Sequence, residues 1–199
     1  LLLLLSLTFQ FISMINQTEC KKIISRSFLV LIILSVSNYV FAQTADKLPK
    51  GTIERISPEL DALIKKNAKV EVIADGFEWV EGPVWVESKK MLLVSDVFKN
   101  KIYKWTVQKG KELYLEPSGY TQTKLRGAEL GSNGLSLNNK GQLVLCQHGD
   151  RRVAVMNAPL DNPKPNFTTL TDHYQGKKFD SPNDLAIKSN GDIYFTDPP

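Results

Sequence analysis

Apolar and polar positions alternate in three similar passages of the chain, and each passage predicts a β-hairpin. The passages read EGPVWVESKKMLLVSDV, NGLSLNNKGQLVLCQHG and NDLAIKSNGDIYFTDPP. Each begins with polar residues and Gly or Asp, continues as a short apolar strand, turns, and enters a second apolar strand. The turns are ESKK, NNKG and KSNG. Two of these turns end in the Gly that hairpin turns favour.

The three hairpins recur with a period near fifty residues. Gly82, Gly134 and Asp184 occupy matching positions, with offsets of 52 and 50 residues. KIYKWTV and RRVAVMN predict a third strand in the first two repeats, and the segments around Tyr114 and Phe167 predict a fourth. Repeated hairpins of this length are typical of propeller blades, whereas a β-sandwich would not repeat the same polar opening. We therefore predict an all-β propeller with about three blades in this sequence.

Residues 1–42 predict a secretory signal peptide. A basic stretch, KKIISR, follows Met14 and leads into the apolar run FLVLIILSV. Val40 and Ala42 would fill the two small-residue positions before a cut after Ala42. The alternative is a membrane anchor, but the run is shorter than the roughly 20 residues that a spanning helix needs. The expected product is exported to the periplasm or secreted, and Met14 is the expected start of translation.

The segment from residue 43 to 72 precedes the first hairpin and forms an N-terminal segment apart from the propeller, which occupies residues 73–199. Its sequence SPELDALIKK carries a helix-start signal, with Ser57 as the N-cap and Pro58 at the first helical position.

Composition and charge narrow the function classes. The chain is 42% hydrophobic and 23% charged, which is ordinary for a globular protein. Loss of residues 1–42 would lower the formal net charge from +4 to +2. No basic stripe is present, so nucleic acid is not an expected partner. Cys146 would then be the only cysteine, with no internal disulfide, and its apolar surroundings predict a buried structural thiol.

Three polar residues open the three hairpins and form a candidate metal site. The first strand of a propeller blade lies nearest the central channel, so Glu81, Asn133 and Asn183 are expected to converge there. Carboxylate and amide oxygens are the ligands that Ca²⁺ and Mg²⁺ prefer. Taken singly, Glu81 could be a solvated loop residue, Asn133 part of an Asn-Gly turn, and Asn183 an Asx-turn. Their recurrence favours the metal interpretation for Glu81 and Asn183 and leaves it open for Asn133.

Other polar residues have less specific interpretations. Strand alternation predicts that Asp184 faces away from the channel and pairs with backbone or a basic residue. His148 could hydrogen-bond a sugar acid or a loop carbonyl. His173 is expected at the surface. Of Arg151 and Arg152, at most one can point inward, and a role in bridging blades is the more common one.

The motifs EGPVW, LLVSDV, NGLSLNNKGQLVLCQHGDRRV and SPNDLAIKSNGDIYFTDPP resemble those of the SMP-30/gluconolactonase family. The resemblance covers residues 77–199 and is strongest to bacterial secreted or periplasmic lactonases. It implies a six-bladed β-propeller with one divalent cation, usually Ca²⁺, in the channel; Mg²⁺, Mn²⁺ and Zn²⁺ remain open.

The same resemblance assigns roles to individual residues. It implies that Glu81 and Asn183 ligate the metal and that Asn133 lies beside it and binds substrate. His148 remains a second candidate for substrate binding. The family's acid/base aspartate belongs to a later blade and has no counterpart in residues 1–199. We therefore expect a C-terminally truncated fragment that contains no catalytic acid/base and is poorly stable by itself.

The expected function is metal-dependent hydrolysis of a sugar lactone, which is carboxylic ester hydrolase chemistry. The expected partner is a small-molecule lactone, with no membrane association after signal cleavage. The alternative is a non-catalytic propeller that binds a ligand or a protein and keeps calcium for structure, because one fold supports both functions. The oligomeric state is open.

We predict that the exported protein begins at Gln43, because signal peptidase cleaves after the small residues at 40 and 42. N-terminal sequencing of the secreted product tests this. A mature protein that begins before Met14 would contradict it.

Overall fold

The computed structural model describes residues 51–124 and 127–199. The predicted signal peptide, residues 1–42, lies outside the described residues. The chain divides into two compact units at Ile73 and Ala74. Residues 51–73 and residues 74–199 are therefore described separately.

Residues 51–73 contain one short helix, α1 (Leu60–Leu63). The prediction that Ser57 is the N-cap and Pro58 the first helical residue was wrong. Glu59 is the N-cap, no side chain caps the helix, and Ile64 is already extended. The Ser57 hydroxyl only accepts a bond from the Glu59 N–H at 3.4 Å. The helix has no buried residue, so no packing offsets the cost of extending it.

The first hairpin of residues 74–199 is part of a four-stranded antiparallel sheet, called sheet 1. Its strands are β1 (Val80–Val86), β2 (Met91–Asp96), β3 (Lys101–Thr106) and β4 (Gly110–Leu115). They pair in the order β1-β2-β3-β4, so each strand lies beside its neighbour in sequence. This order is the meander expected of a propeller blade.

The second hairpin grows into an equivalent sheet, called sheet 2. Its strands are β5 (Ser132–Leu137), β6 (Leu143–Gln147), β7 (Arg152–Met156) and β8 (Phe167–Thr171). They pair in the order β5-β6-β7-β8. The predicted third and fourth strands of both repeats are thus confirmed.

Two smaller antiparallel pairs follow. The strands β9 (His173–Tyr174) and β10 (Lys177–Lys178) form a short ribbon, and β11 (Leu185–Ile187) pairs with β12 (Ile193–Phe195). The β11–β12 pair is the third predicted hairpin. The part of the chain that the structure describes therefore holds two four-stranded sheets and a third hairpin.

Sheets 1 and 2 share an apolar core. Its largest fully buried members come from both sheets: Val86, Leu93, Ile102, Leu143, Leu145 and Met156. A second core joins the opposite face of sheet 2 to the third hairpin. There Val144, Cys146, Val153 and Val155 pack against Leu185, Ile187, Ile193 and Phe195. Sheet 2 is buried on both faces, as a blade between two neighbours must be.

These features define an all-β fold built from successive blade-like sheets, as the sequence predicted. Within the described residues, no helix has the length and apolar character that crossing a bilayer requires.

Cys146 is fully buried on β6, which confirms the expected structural thiol. Burial raises the pKa of this thiol to about 12, with smaller contributions from the charges of Asp184 and Asp197. Because the reactive thiolate is then scarce at pH 8, we expect iodoacetamide to label Cys146 at least about 100-fold more slowly in the folded protein than in 6 M guanidinium chloride. Mass spectrometry of the peptide that contains Cys146 measures both rates. Equal rates would show that this strand is not buried in solution.

Candidate functional site

The first strands of the three hairpins, β1, β5 and β11, begin around one recess. They are called the inner strands. Its volume is about 370 Å³, and Glu81, Asn133 and Asn183 all line it. Glu81 is the second residue of β1, Asn133 is the second residue of β5, and Asn183 precedes β11 by two residues. The structure therefore brings together the three polar residues that the repeat was expected to bring together.

A register irregularity at matching places directs Glu81 and Asn133. In sheet 1, Glu81 pairs with Ser95 but Val84 pairs with Leu93, so β1 contains one extra residue. In sheet 2, Ser132 pairs with Gln147 and Leu135 with Leu145, which leaves the same excess around Asn133. A bulge of this kind interrupts the alternation of side chains and re-aims the residue next to it.

The inner strands approach one another at two glycines. A Cβ on Gly82 would lie 2.3 Å from the Asn133 carbonyl oxygen, and one on Gly134 would lie 2.8 Å from the Asn183 carbonyl oxygen. The Gly134 N–H also donates to that Asn183 oxygen at 2.6 Å. In the sequence, Gly82 and Gly134 mark only the matching positions of the repeats. Their physical role is to let backbone meet backbone beside the recess.

A hydrogen bond from Trp79 holds the side chain of Glu81. The Trp79 indole Nε1–H donates to Glu81 Oε1 at 2.9 Å. The Trp79 ring is itself held edge-on against Phe98, with ring centroids 6.1 Å apart. The sequence patterns did not single out Trp79, although a tryptophan two residues before Glu81 was a usable signal.

The two asparagines present amide groups to the recess. Asn133 is only 6% exposed, yet neither its side chain nor that of Asn183 hydrogen-bonds any described residue. The Asn183 backbone is held on both sides, because its N–H donates to the Thr196 carbonyl at 2.8 Å and its own carbonyl accepts from Gly134. Both side-chain amides therefore remain available to a ligand.

The donor set fits a hard cation. One carboxylate and two amide oxygens line the recess, and oxygen donors of this kind suit Ca²⁺ or Mg²⁺. Among residues 51–124 and 127–199, no group of three or more His, Cys, Asp or Glu side chains forms a metal-binding cluster. Metal binding by Glu81 and Asn183 stays a prediction.

Asp184 departs from its expected orientation. Its Oδ1 accepts the Leu185 N–H at 2.9 Å, so the expected backbone pairing is present. The residue nevertheless lines the same recess as Asn183, and its Oδ1 would lie 2.6 Å from a Cβ on Gly134. The expectation that it faces away was wrong, because regular strand pairing begins only at Leu185 and alternation does not yet apply at Asp184.

His148 lines a different recess. That recess has a volume of about 450 Å³, and Glu129, Asp180 and Ser181 also line it. His148 Nε2 lies 3.8 Å from a carboxylate oxygen of Glu129. The structure therefore does not place His148 with Glu81, and its part in substrate binding stays a prediction.

The remaining basic side chains have structural partners. Arg151 donates to the Phe179 carbonyl and, at 2.8 Å, to Asp180, so it joins sheet 2 to the segment before the third hairpin. This is the bridging role that the sequence suggested. His173 is exposed, as expected, and its hydrogen bond lowers the pKa of Asp172.

The fold defines a propeller-type β-protein with a polar recess where three of its hairpins begin. Residues 79–199 match the family described as the SMP-30/Gluconolactonase/LRE-like region. The chain belongs to this family.

Several known proteins are similar to the chain. A gluconolactonase of Zymomonas mobilis subsp. mobilis is 38% identical over 151 residues, which cover 75% of this chain and 41% of that protein. An X-ray structure assigned as a gluconolactonase has 30% identity and a TM-score of 0.61, with 74% of this chain and 46% of that one covered. A gluconolactonase structure from Xanthomonas campestris has 28% identity and a TM-score of 0.62, with 77% and 46% covered. The chain spans less than half the length of each.

We predict that Gly134→Ala lowers the free energy of unfolding by about 3 kcal/mol, because the added Cβ meets backbone atoms that cannot move independently. Gly141→Ala is the matched control. Gly141 has open space around its Cβ position but a φ of +72°, so only backbone strain of about 1 kcal/mol is expected. Urea unfolding of the full-length protein measures both. Equal losses would show that the close approach at Gly134 does not constrain the fold.

Proposed function

We propose that the protein hydrolyses a sugar lactone such as gluconolactone and that it requires a divalent cation, with Ca²⁺ the favoured ion. The observation that carries the proposal is the convergence of Glu81, Asn133 and Asn183 on one recess. Membership of the family and the three gluconolactonase relatives support the lactone as substrate class. The full propeller would have six blades, as the family resemblance implies.

The three polar residues of the recess have different proposed roles, which follow from their side-chain chemistry. Glu81 and Asn183 would hold the cation through a carboxylate and an amide oxygen. A cation held there would act as a Lewis acid toward the lactone carbonyl. Asn133 would bind substrate, because its amide can donate to and accept from a sugar hydroxyl. Glu81 and Asn133 lie at the starts of paired strands, and backbone hydrogen bonds hold Asn183 just before β11, so the site needs little reorganisation on binding.

Proton transfer needs a further group. A carboxylate must take a proton from the attacking water and return one to the leaving alkoxide. Glu81 is unsuited, since a carboxylate that ligates a cation is a weak base. Asp184 is tied to the Leu185 N–H. We assign this step to the aspartate that the family resemblance places in a later blade.

We predict that Glu81→Gln lowers kcat/KM for gluconolactone by on the order of 100-fold or more in the full-length protein, because a neutral amide binds a hard cation more weakly. Removal of divalent ions by EDTA should have a similar effect, and addition of Ca²⁺ should reverse it. The rate is measured by proton release above the uncatalysed opening of the lactone.

Glu87→Gln is the matched control. Glu87 also accepts an indole N–H two residues after a tryptophan, from Trp85 at 2.6 Å, but it lies at the hairpin turn and does not line the recess. It should retain full activity. Hydrolysis that survives EDTA or Glu81→Gln would contradict the metal-dependent reaction. Calcium binding without hydrolysis of any sugar lactone would favour the non-catalytic binding propeller.

A further inference from the structure

Two aspartates hold the backbone that leads into two of the inner strands. Asp96 is the last residue of β2, and Asp197 follows the end of β12 by two residues. Each is the last residue of a matching sequence in its hairpin, MLLVSD in the first and DIYFTD in the third. Neither lines the recess.

Asp96 fixes the approach to Glu81. Its side chain is fully buried. Its carboxylate accepts the Glu78 N–H at 3.1 Å and the Trp79 N–H at 3.1 Å. Lys99 lies 3.3 Å away and balances the buried charge. Because Trp79 also donates its indole N–H to Glu81, the contacts run from Asp96 through Trp79 to the Glu81 carboxylate.

Asp197 fixes the approach to Asn183 in the same manner. Its carboxylate accepts the Asp180 N–H at 3.1 Å and the Ser181 N–H at 2.8 Å. Arg151 holds the same stretch from the other side through the Asp180 carboxylate at 2.8 Å. The backbone that leads into Asn183 is therefore held at the N–H groups of Asp180 and Ser181.

The two arrangements have the same spacing. Each aspartate accepts two consecutive N–H groups, and the predicted metal ligand lies two residues after the second of them: Glu81 after Trp79, and Asn183 after Ser181. Only one residue separates each predicted ligand from a backbone N–H that a carboxylate holds. A carboxylate that fixes the first residue therefore restricts the positions open to the second.

The middle hairpin is built differently. Gln147 occupies the matching position and donates to the Ser118 carbonyl at 2.8 Å, while the Ser118 hydroxyl accepts the Ser132 N–H at 3.0 Å. Among the residues that the structure describes, no carboxylate accepts two consecutive N–H groups before Asn133, and the Gly131 N–H donates to the Val97 carbonyl at 2.7 Å. The carboxylate clamp thus occurs at the two residues predicted to ligate the metal and not at the one predicted to bind substrate.

We propose that Asp96 and Asp197 are positioning residues that aim Glu81 and Asn183 at one cation. The inference rests on the proposed metal site. The physical basis is that a carboxylate accepting two backbone N–H groups forms charge-assisted bonds, which are stronger than neutral ones and directional. Groups that orient metal ligands from outside the coordination sphere typically change metal affinity by about 10–100-fold when removed.

The test is calorimetric titration of CaCl₂ into the full-length protein after removal of divalent ions. Asp96→Asn and Asp197→Asn should each weaken Ca²⁺ binding by about 10–100-fold, because an amide keeps one acceptor and turns its NH₂ group toward the second backbone N–H. The melting temperature in EDTA is recorded for every variant, so that affinity is compared among proteins of known stability.

Asp150→Asn is the matched control. Asp150 is also nearly buried, accepts the Thr121 N–H at 3.2 Å, and lies 3.0 Å from Arg152. It anchors a loop and not the approach to Glu81 or Asn183. It should lower the melting temperature as Asp96→Asn does and leave Ca²⁺ affinity unchanged. Equal loss of affinity in both variants would reduce Asp96 to a purely structural role and overturn the inference.

Glu81→Gln and Asn183→Ala separate the inference from the proposal on which it rests. If both keep wild-type Ca²⁺ affinity, the metal site itself is wrong. If both lose affinity while Asp197→Asn binds Ca²⁺ normally, the metal site stands and the positioning role is wrong. Asp197→Asn acts on the approach to Asn183 and not on the approach to Glu81, so it tests the positioning role even if Asp96→Asn does not fold.

Discussion

The close approach of the inner strands is the constraint on which the rest of the structure depends. Backbone touches backbone where Gly82 meets residue 133 and where Gly134 meets residue 183. A side chain at either glycine would push neighbouring sheets apart. The same contact makes the recess, because it brings the openings of β1, β5 and β11 to one place.

The apolar cores hold the sheets in this arrangement. Leu93 and Ile102 of sheet 1 and Leu145 of sheet 2 are fully buried in the first core, and Val144 and Val153 lie on the opposite face of sheet 2. Burial of one such side chain contributes about 1.5–3 kcal/mol. Each sheet relies on its neighbour for part of this burial, so neighbouring blades stabilise one another in sequence order.

Hydrogen bonds from polar side chains then fix local backbone and side-chain directions, which apolar packing does not determine. Packing has no directional preference, but a carboxylate or an indole N–H does. Asp96, Trp79 and Asp197 use such bonds to orient the chain beside the recess. They lie outside the recess and hold the backbone and the indole beside it.

The sequence by itself determined the hairpins, their fifty-residue period, the buried Cys146 and the residues that meet at the recess. It could do so because alternation along a strand and repetition along the chain are both written in residue order. Only the tertiary structure decided that Ser57 caps no helix, that Asp184 turns into the recess and that His148 lines a different one. Those outcomes depend on packing that α1 lacks, on the point where strand pairing begins, and on which loops meet. Such contacts join residues far apart in the chain, and no local pattern records them.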